Sequence, residues 1–281
     1  MWRCPLCKAP ISLSSAPVKC EKNHSFDMAK AGYVNLLPVQ FKKSKSPGDD
    51  KAMVRARREF HALNAYKPLK DKMLQLLISA TDTKKPDTKE STALHIYDAG
   101  CGEGSYLYAL CEGLTCAGFK VKGAGSDISK IAVELAAKAF KQQEFVVASS
   151  FELPLADTSQ DIMLQVFAPG CNDEYSRVLN DKGLLLTVNP APEHLFEIKA
   201  MVYDSPRKHK LDDSKRVGFE LIENEVLSFT IELASSEQAL ALIKMTPFYW
   251  KLPPGRIDEM VSSLKSVTAD FHLQLWQKQE A

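Results

Sequence analysis

Residues 93–114, ALHIYDAGCGEGSYLYALCEGL, limit the folds open to this chain more than any other stretch. An apolar run breaks at Gly100, Gly102 and Gly104, and a helical pattern resumes at Ser105. Alternating glycines suit neither a helix nor a strand; they suit a turn whose backbone goes left-handed and comes close to a ligand. A strand that enters a helix through such a turn opens a β-α unit, and repeated units build a parallel sheet. The units do repeat. VKGAGSD reads as a second strand, ISKIAVELAAKAFK as an amphipathic helix and EFVVASSFELPLAD as a third strand and loop. DIMLQVFAP reads as a fourth strand, and DEYSRVLNDKGLLLTVNP as helix, turn and fifth strand. The expected fold is α/β, a doubly wound sheet over residues 91–281. Such sheets bind ligands at the carboxyl ends of their strands, where Gly100, Gly102, Gly104 and Asp127 fall. A carboxylate at Asp127 can accept two hydrogen bonds from ribose hydroxyls.

The third glycine comes one residue earlier than in the G-x-G-x-x-G of dinucleotide sites, and Asp98 ends the strand before it. Asp-x-Gly-x-Gly-x-Gly resembles the first motif of class I S-adenosylmethionine (SAM) methyltransferases, whose sheet is Rossmann-like. In those enzymes the glycines let the backbone approach the methionine end of the cofactor. SAM is therefore the expected cofactor, with Asp98, Gly100, Gly102, Gly104 and Asp127 around it. Ser149 stands where many class I enzymes carry Asp beside the adenine. An NAD enzyme and a sheet that binds nothing are the other readings of the turn.

The N-terminus carries Cys4-x2-Cys7-x12-Cys20-x3-His24. Zinc takes four tetrahedral N or S ligands, and this spacing supplies them. So short and polar a segment cannot hold its shape by burial, so the metal would supply the folding energy. Four protein ligands leave no open position, which makes this zinc structural. Seven cysteines, an odd number, fit metal ligands plus core thiols better than a disulfide framework. The expected divisions are a zinc-ribbon-like module over 1–38, a basic helical linker over 39–90 and the cofactor domain over 91–281. No signal-peptide pattern and no apolar run of bilayer length appear, which points to the cytoplasm and away from a membrane.

The net charge of +1 hides an asymmetry: residues 1–75 hold 15 Lys/Arg against 6 Asp/Glu. A basic front on an acidic body is what a phosphate-bearing partner requires. Lys42, Lys43, Lys45, Arg55, Arg57 and Arg58 form its densest cluster. A solvated helix face is the alternative for any one of these runs.

The joined pattern is more specific than any part. CPLC, C-x3-H-x-F-D-M-A-K-x-G-Y-V-N-L-L-P, PGD, DAGCGEG and the late MTPFYW, in this order, resemble the bacterial 23S rRNA (guanine-N1)-methyltransferases over essentially the whole chain. The resemblance implies zinc on Cys4, Cys7, Cys20 and His24. It also implies SAM contacts from Gly102 and Glu103, from Tyr66 in NAYKPL and from His194 in NPAPEHL. The partner it implies is a 23S rRNA hairpin; a homodimer is compatible with a long rRNA element bridging two basic modules. Guanine N1 lies on the Watson–Crick edge, so the target must be unpaired or flipped. Phe167, Phe248, Tyr249 and Trp250 are the aromatic candidates for stacking on it. A small-molecule SAM methyltransferase with an unrelated zinc clip, and an RNA-binding module without catalysis, are the competing functions.

Overall fold

A computed structural model describes residues 1–41, 48–81 and 93–280. Lys42, Lys43 and Lys45 of the basic cluster, and residues 82–92, lie outside the described residues. The chain opens with two short antiparallel pairs, β1 (Trp2–Arg3) with β2 (Pro10–Ile11) and β3 (Val18–Lys19) with β4 (Ser25–Phe26). β5 (Val34–Asn35) follows, then α1 (Lys51–Ala62) and α2 (Lys67–Thr81). Asp50 caps α1, accepting from the backbone N–H of Ala52 and Met53 at 2.7 and 2.9 Å.

The core then alternates: β6 (Leu94–Ala99), α3 (Ser105–Cys116), β7 (Val121–Asp127), α4 (Lys130–Ala139), β8 (Glu144–Val147), β9 (Gln160–Val166), α5 (Asn172–Val178) and β10 (Leu179–Pro190). Past β10 come α6 (Phe196–Val202), β11 (Phe219–Glu232), α7 (Ser236–Lys244), α8 (Pro254–Ser263) and β12 (Ser266–Lys278). The sheet order is β11-β12-β10-β9-β6-β7-β8-β5. The five expected strands, β10-β9-β6-β7-β8, pair in parallel. The structure adds an antiparallel pair, β11 and β12, beyond β10 and a parallel edge strand, β5, beyond β8.

β5 lies within the stretch read as the zinc module, yet its register with β8 places it in the main sheet. The module also adheres to the sheet by its side chains. Side chains alternate across a strand, so each strand feeds two cores. On one face Ile96, Ile162, Leu164 and Leu186 pack under α2, α3, α4 and α7. On the other, Tyr97, Ala99, Met163 and Leu185 meet Tyr175 and Val178 of α5 together with Trp2, Cys4, Ile11 and Val18 of the ribbon. Trp2 sets its ring edge-on to Tyr97, 5.9 Å between centroids, and donates to Glu144 at 2.7 Å. Arg3 N–H donates to the Pro154 carbonyl at 2.9 Å, and Ala156 N–H to that of Met1 at 2.7 Å. The ribbon thus covers a sheet face that a helix would otherwise cover.

Candidate cofactor and acceptor site

Gly100, Gly102 and Gly104 all take left-handed backbone, with φ of +93°, +55° and +88°. At Gly100 space adds to conformation: a Cβ there would lie 2.4 Å from the Ala168 Cβ. The turn is pinned by Asp127, at the carboxyl end of β7. Its Oδ2 accepts from Gly102 N–H at 2.9 Å and its Oδ1 from Ser129 N–H at 2.7 Å. Burial pushes its carboxyl upward, while those two N–H donors pull the other way. Asp127→Ala removes the turn's anchor and the carboxylate together. SAM affinity, measured by calorimetry, is expected to fall by about 1–3 kcal/mol.

Beside the turn lies a cavity of about 780 Å³. Among the residues expected around a cofactor, Tyr66, Gly100, Gly102, Glu103, Asp127 and His194 line it, though they come from distant parts of the chain. Asp98 and Gly104 do not. Asp98 is 1% exposed and neither carboxylate oxygen has a partner among the described residues. Burial, with the charges of Asp127 and Glu103 behind it, pushes its pKa up to about 8. Gly104 faces inward; a Cβ there would meet Phe140, Ala136 and Phe145 at 3.0–3.2 Å, so it lets α3 sit close to α4 and β8. The cavity suits SAM on its own terms. A Cβ on Gly102 would find just the Arg57 side chain, at 3.7 Å, so the backbone is open to a ligand. Asp49, Glu103 and Asp127 supply acid to a cationic ligand, and Ser149 stands on the same wall.

α1 is the unforeseen wall. Met53, Arg57 and His61 lie at i, i+4 and i+8, one face of the helix, and all three line the cavity. Arg57 pairs with Asp49 at 2.6 Å. It therefore departs from the expectation that the arginines of this helix face RNA alone; Arg55 and Arg58 remain exposed. His61 is joined to the glycine turn: its Nδ1 is 2.8 Å from Ser105 Oγ, which donates to Glu103 Oε1 at 2.6 Å. Nothing in the local sequence marks His61, which lies 44 residues from its partner.

An aromatic cluster also borders the cavity. Phe167 and His194 stack at 5.9 Å, and Phe271 lies 4.9 Å from His194 and 5.1 Å from Tyr66. His194 Nδ1 accepts from Asp270 N–H at 3.3 Å, and burial lowers its pKa to about 3. The ring is neutral with its proton on Nε2, so it offers a donor and no base. Phe167 holds φ at +52° with its side chain 41% exposed. A bulky residue in left-handed backbone is strained, and such strain gathers at ligand sites. Phe248 also lines the cavity and Tyr249 does not; the side chain of Trp250 lies outside the described residues.

At the ribbon, one ligand atom from each of Cys4, Cys7, Cys20 and His24 lies within 4.8 Å of the others. Cys4 Sγ and Cys20 Sγ stand 3.5 and 3.4 Å from His24 Nδ1, and Cys7 Sγ stands 3.7 Å from Cys20 Sγ. Zn–S and Zn–N bonds of about 2.0–2.3 Å give tetrahedral edges of this size. The donor set fits a closed, structural zinc.

A parallel five-strand core that turns on glycines after its first strand and ends its second on a carboxylate fits a class I methyltransferase. Residues 90–243 accordingly match a methyltransferase-domain family model. Residues 2–45 match a zinc-ribbon model described as RlmA, N-terminal. Three relatives are each 32% identical. YxjB of Bacillus subtilis (strain 168), provisionally named a 23S rRNA (guanine-N(1)-)-methyltransferase, aligns over 99% of this chain and 97% of its own. A Micromonospora griseorubida protein with the same provisional name aligns over 96% and 95%. The 23S rRNA (guanine(748)-N(1))-methyltransferase of Streptomyces fradiae aligns over 94% and 91%. The chain belongs to the 23S rRNA (guanine-N1)-methyltransferase family.

Proposed function

We propose that the protein transfers a methyl group from SAM to N1 of a guanine in a hairpin loop of 23S rRNA. The observation that carries this reading is one cavity lined by the glycine turn, by Asp127 and by the exposed ring of Phe167. When bound, SAM supplies a methyl on a sulfonium, an electrophile that must be met in line. The chain's work is orientation and exclusion of water. Asp127 takes the ribose hydroxyls, and the backbone at Gly102 and Glu103 takes the methionine end. Tyr66 and the His194 Nε2–H close over the cofactor from the aromatic wall. Phe167 offers the face on which an unpaired guanine stacks, its strained backbone holding the ring out of the core. Structural zinc on Cys4, Cys7, Cys20 and His24 holds the ribbon against the back of the sheet. No helix among the described residues is long and apolar enough to cross a membrane, and the cytoplasm, where rRNA is accessible, is the compartment that goes with this reading. Incubation with methyl-labelled SAM should label unmodified 23S rRNA and leave free guanosine and small amines unlabelled. Label in a small molecule and none in rRNA would favour the small-molecule reading.

The RNA grip is assigned to the exposed cations of the front half. Replacing Arg55 and Arg58 by Gln should raise the RNA dissociation constant and flatten its salt dependence by roughly 0.7–0.9 per lost phosphate contact. SAM affinity should stay unchanged. An unaltered salt slope in a variant as stable as the parent would remove α1 from the RNA surface.

A further inference from the structure

α1 carries more than RNA-facing charge. It lays Arg57 and His61, one turn apart, on the cavity wall over the glycine turn. His61 is 6% exposed, Ser105 9% and Glu103 5%, so their connection is a built one. The direction of its hydrogen bonds is fixed. The single hydroxyl proton of Ser105 is given to Glu103 Oε1, so Ser105 Oγ can only accept at its other contact, and His61 Nδ1 must be the donor. That leaves a lone pair on His61 Nε2, which shares none of the hydrogen bonds seen among the described residues, on a side chain that lines the cavity. The rings of Tyr106 and Tyr66 stand edge-to-face against it at 4.9 and 5.7 Å and fix its plane.

We propose that α1 reads the amino-acid end of the cofactor: His61 Nε2 accepts a hydrogen bond from the ammonium, and Arg57 pairs with the carboxylate. This rests on the reading of the cavity as the SAM site. The glycine turn places the methionine end at Gly102, and Gly102 is where Arg57 comes close, 3.7 Å from a Cβ built there. Burial, with the charges of Lys70 and Arg57, lowers the His61 pKa to about 3. The imidazole is therefore a standing acceptor at neutral pH. It suits an ammonium that keeps its proton better than it suits removal of the guanine N1 proton, which requires a base of higher affinity. His61, Ser105 and Glu103 are thus positioning residues. Ser105 and Glu103 hold the tautomer that leaves Nε2 free to accept, and Arg57 supplies the opposite charge needed by a zwitterion.

Calorimetry with two ligands tests this. S-adenosylhomocysteine keeps the amino-acid end, and 5′-methylthioadenosine lacks it while sharing the adenosine and thioether. His61→Phe preserves the ring packing and removes the acceptor. It should weaken S-adenosylhomocysteine by about ten- to a hundredfold and leave 5′-methylthioadenosine within about twofold, as should Arg57→Gln. In 15N spectra His61 should carry its proton on Nδ1, and Ser105→Ala should scramble that tautomer. Equal weakening of both ligands, or of neither, would overturn the proposal. Asp127→Ala separates the inference from the reading beneath it, since loss of the ribose contact should weaken 5′-methylthioadenosine as well as S-adenosylhomocysteine, which His61→Phe should not do. If the parent binds neither ligand, the cavity is not the cofactor site and both statements fall.

Discussion

Stripping zinc from the protein, or replacing Cys7 by Ser, should melt the methyltransferase body together with the ribbon, in one transition. Four closed-shell ligands far from the glycine turn in sequence invite the opposite expectation, a module that unfolds by itself. The packing decides against it. Trp2, Ile11 and Val18 cover Tyr97, Ala99, Met163 and Leu185, the second face of the central strands. Without metal the ribbon lacks the means to keep that cover in place, and several large apolar side chains on the sheet meet water. Structural zinc contributes about 10–16 kcal/mol of apparent binding energy in small zinc-finger peptides. If a third of that reaches the body, the melting temperature falls by roughly 10 °C. Calorimetry with and without a chelator checks this. An upper transition unmoved by chelation would mean that the ribbon only leans on the sheet.

Gly100→Ala should abolish measurable SAM binding. Alanine at φ +93° is strained, and its Cβ would sit 2.4 Å from the Ala168 Cβ, both on backbone that has little room to shift. Strain and overpacking together cost about 2–6 kcal/mol. They fall on the loop that carries Phe167 as well as on the turn, so both sides of the cavity move. Gly118→Ala is the control. Gly118 has the same φ of +93° with nothing within 4 Å of a Cβ, and it ends α3 away from the cavity. It should lower stability modestly and leave SAM affinity alone. Equal SAM affinity in both variants would show that the turn is not the cofactor's seat.

These outcomes divide along what was legible in the sequence. The glycine turn, the carboxylate of Asp127 and the four cysteine and histidine side chains are local patterns whose chemistry dictates their spacing; Gly100, Gly102 and Asp127 reach one cavity, and Cys4, Cys7, Cys20 and His24 one cluster. Tyr66 and His194 came from family resemblance; no local pattern singles out a tyrosine before a helix or a histidine after a strand. Asp98 shows the limit of a motif. It ends the expected strand, but the pleat turns it into the core, where burial raises its pKa and it has no hydrogen-bond partner among the described residues. The ribbon's adhesion to the sheet was hidden because its few apolar residues are scattered and their partners lie far along the chain. The pair β11 and β12 was hidden because α7 and α8 separate the two strands. His61 was hidden for the same physical reason, a hydrogen bond that spans 44 residues.

This cavity directs methyl transfer to guanine N1 in 23S rRNA. The most direct measurement of that transfer is the identity of the modified nucleoside. Unmodified 23S rRNA should be incubated with the protein and SAM, digested to nucleosides and resolved by mass spectrometry, with reverse transcription run in parallel on the intact RNA. Close to one N1-methylguanosine per rRNA molecule is expected. A single reverse-transcription stop in a hairpin loop is expected with it, since a methyl on N1 blocks the Watson–Crick edge. Methylation at N7 or at the exocyclic amine, methylation on a sugar, or no transfer by protein that binds both SAM and rRNA would contradict this assignment.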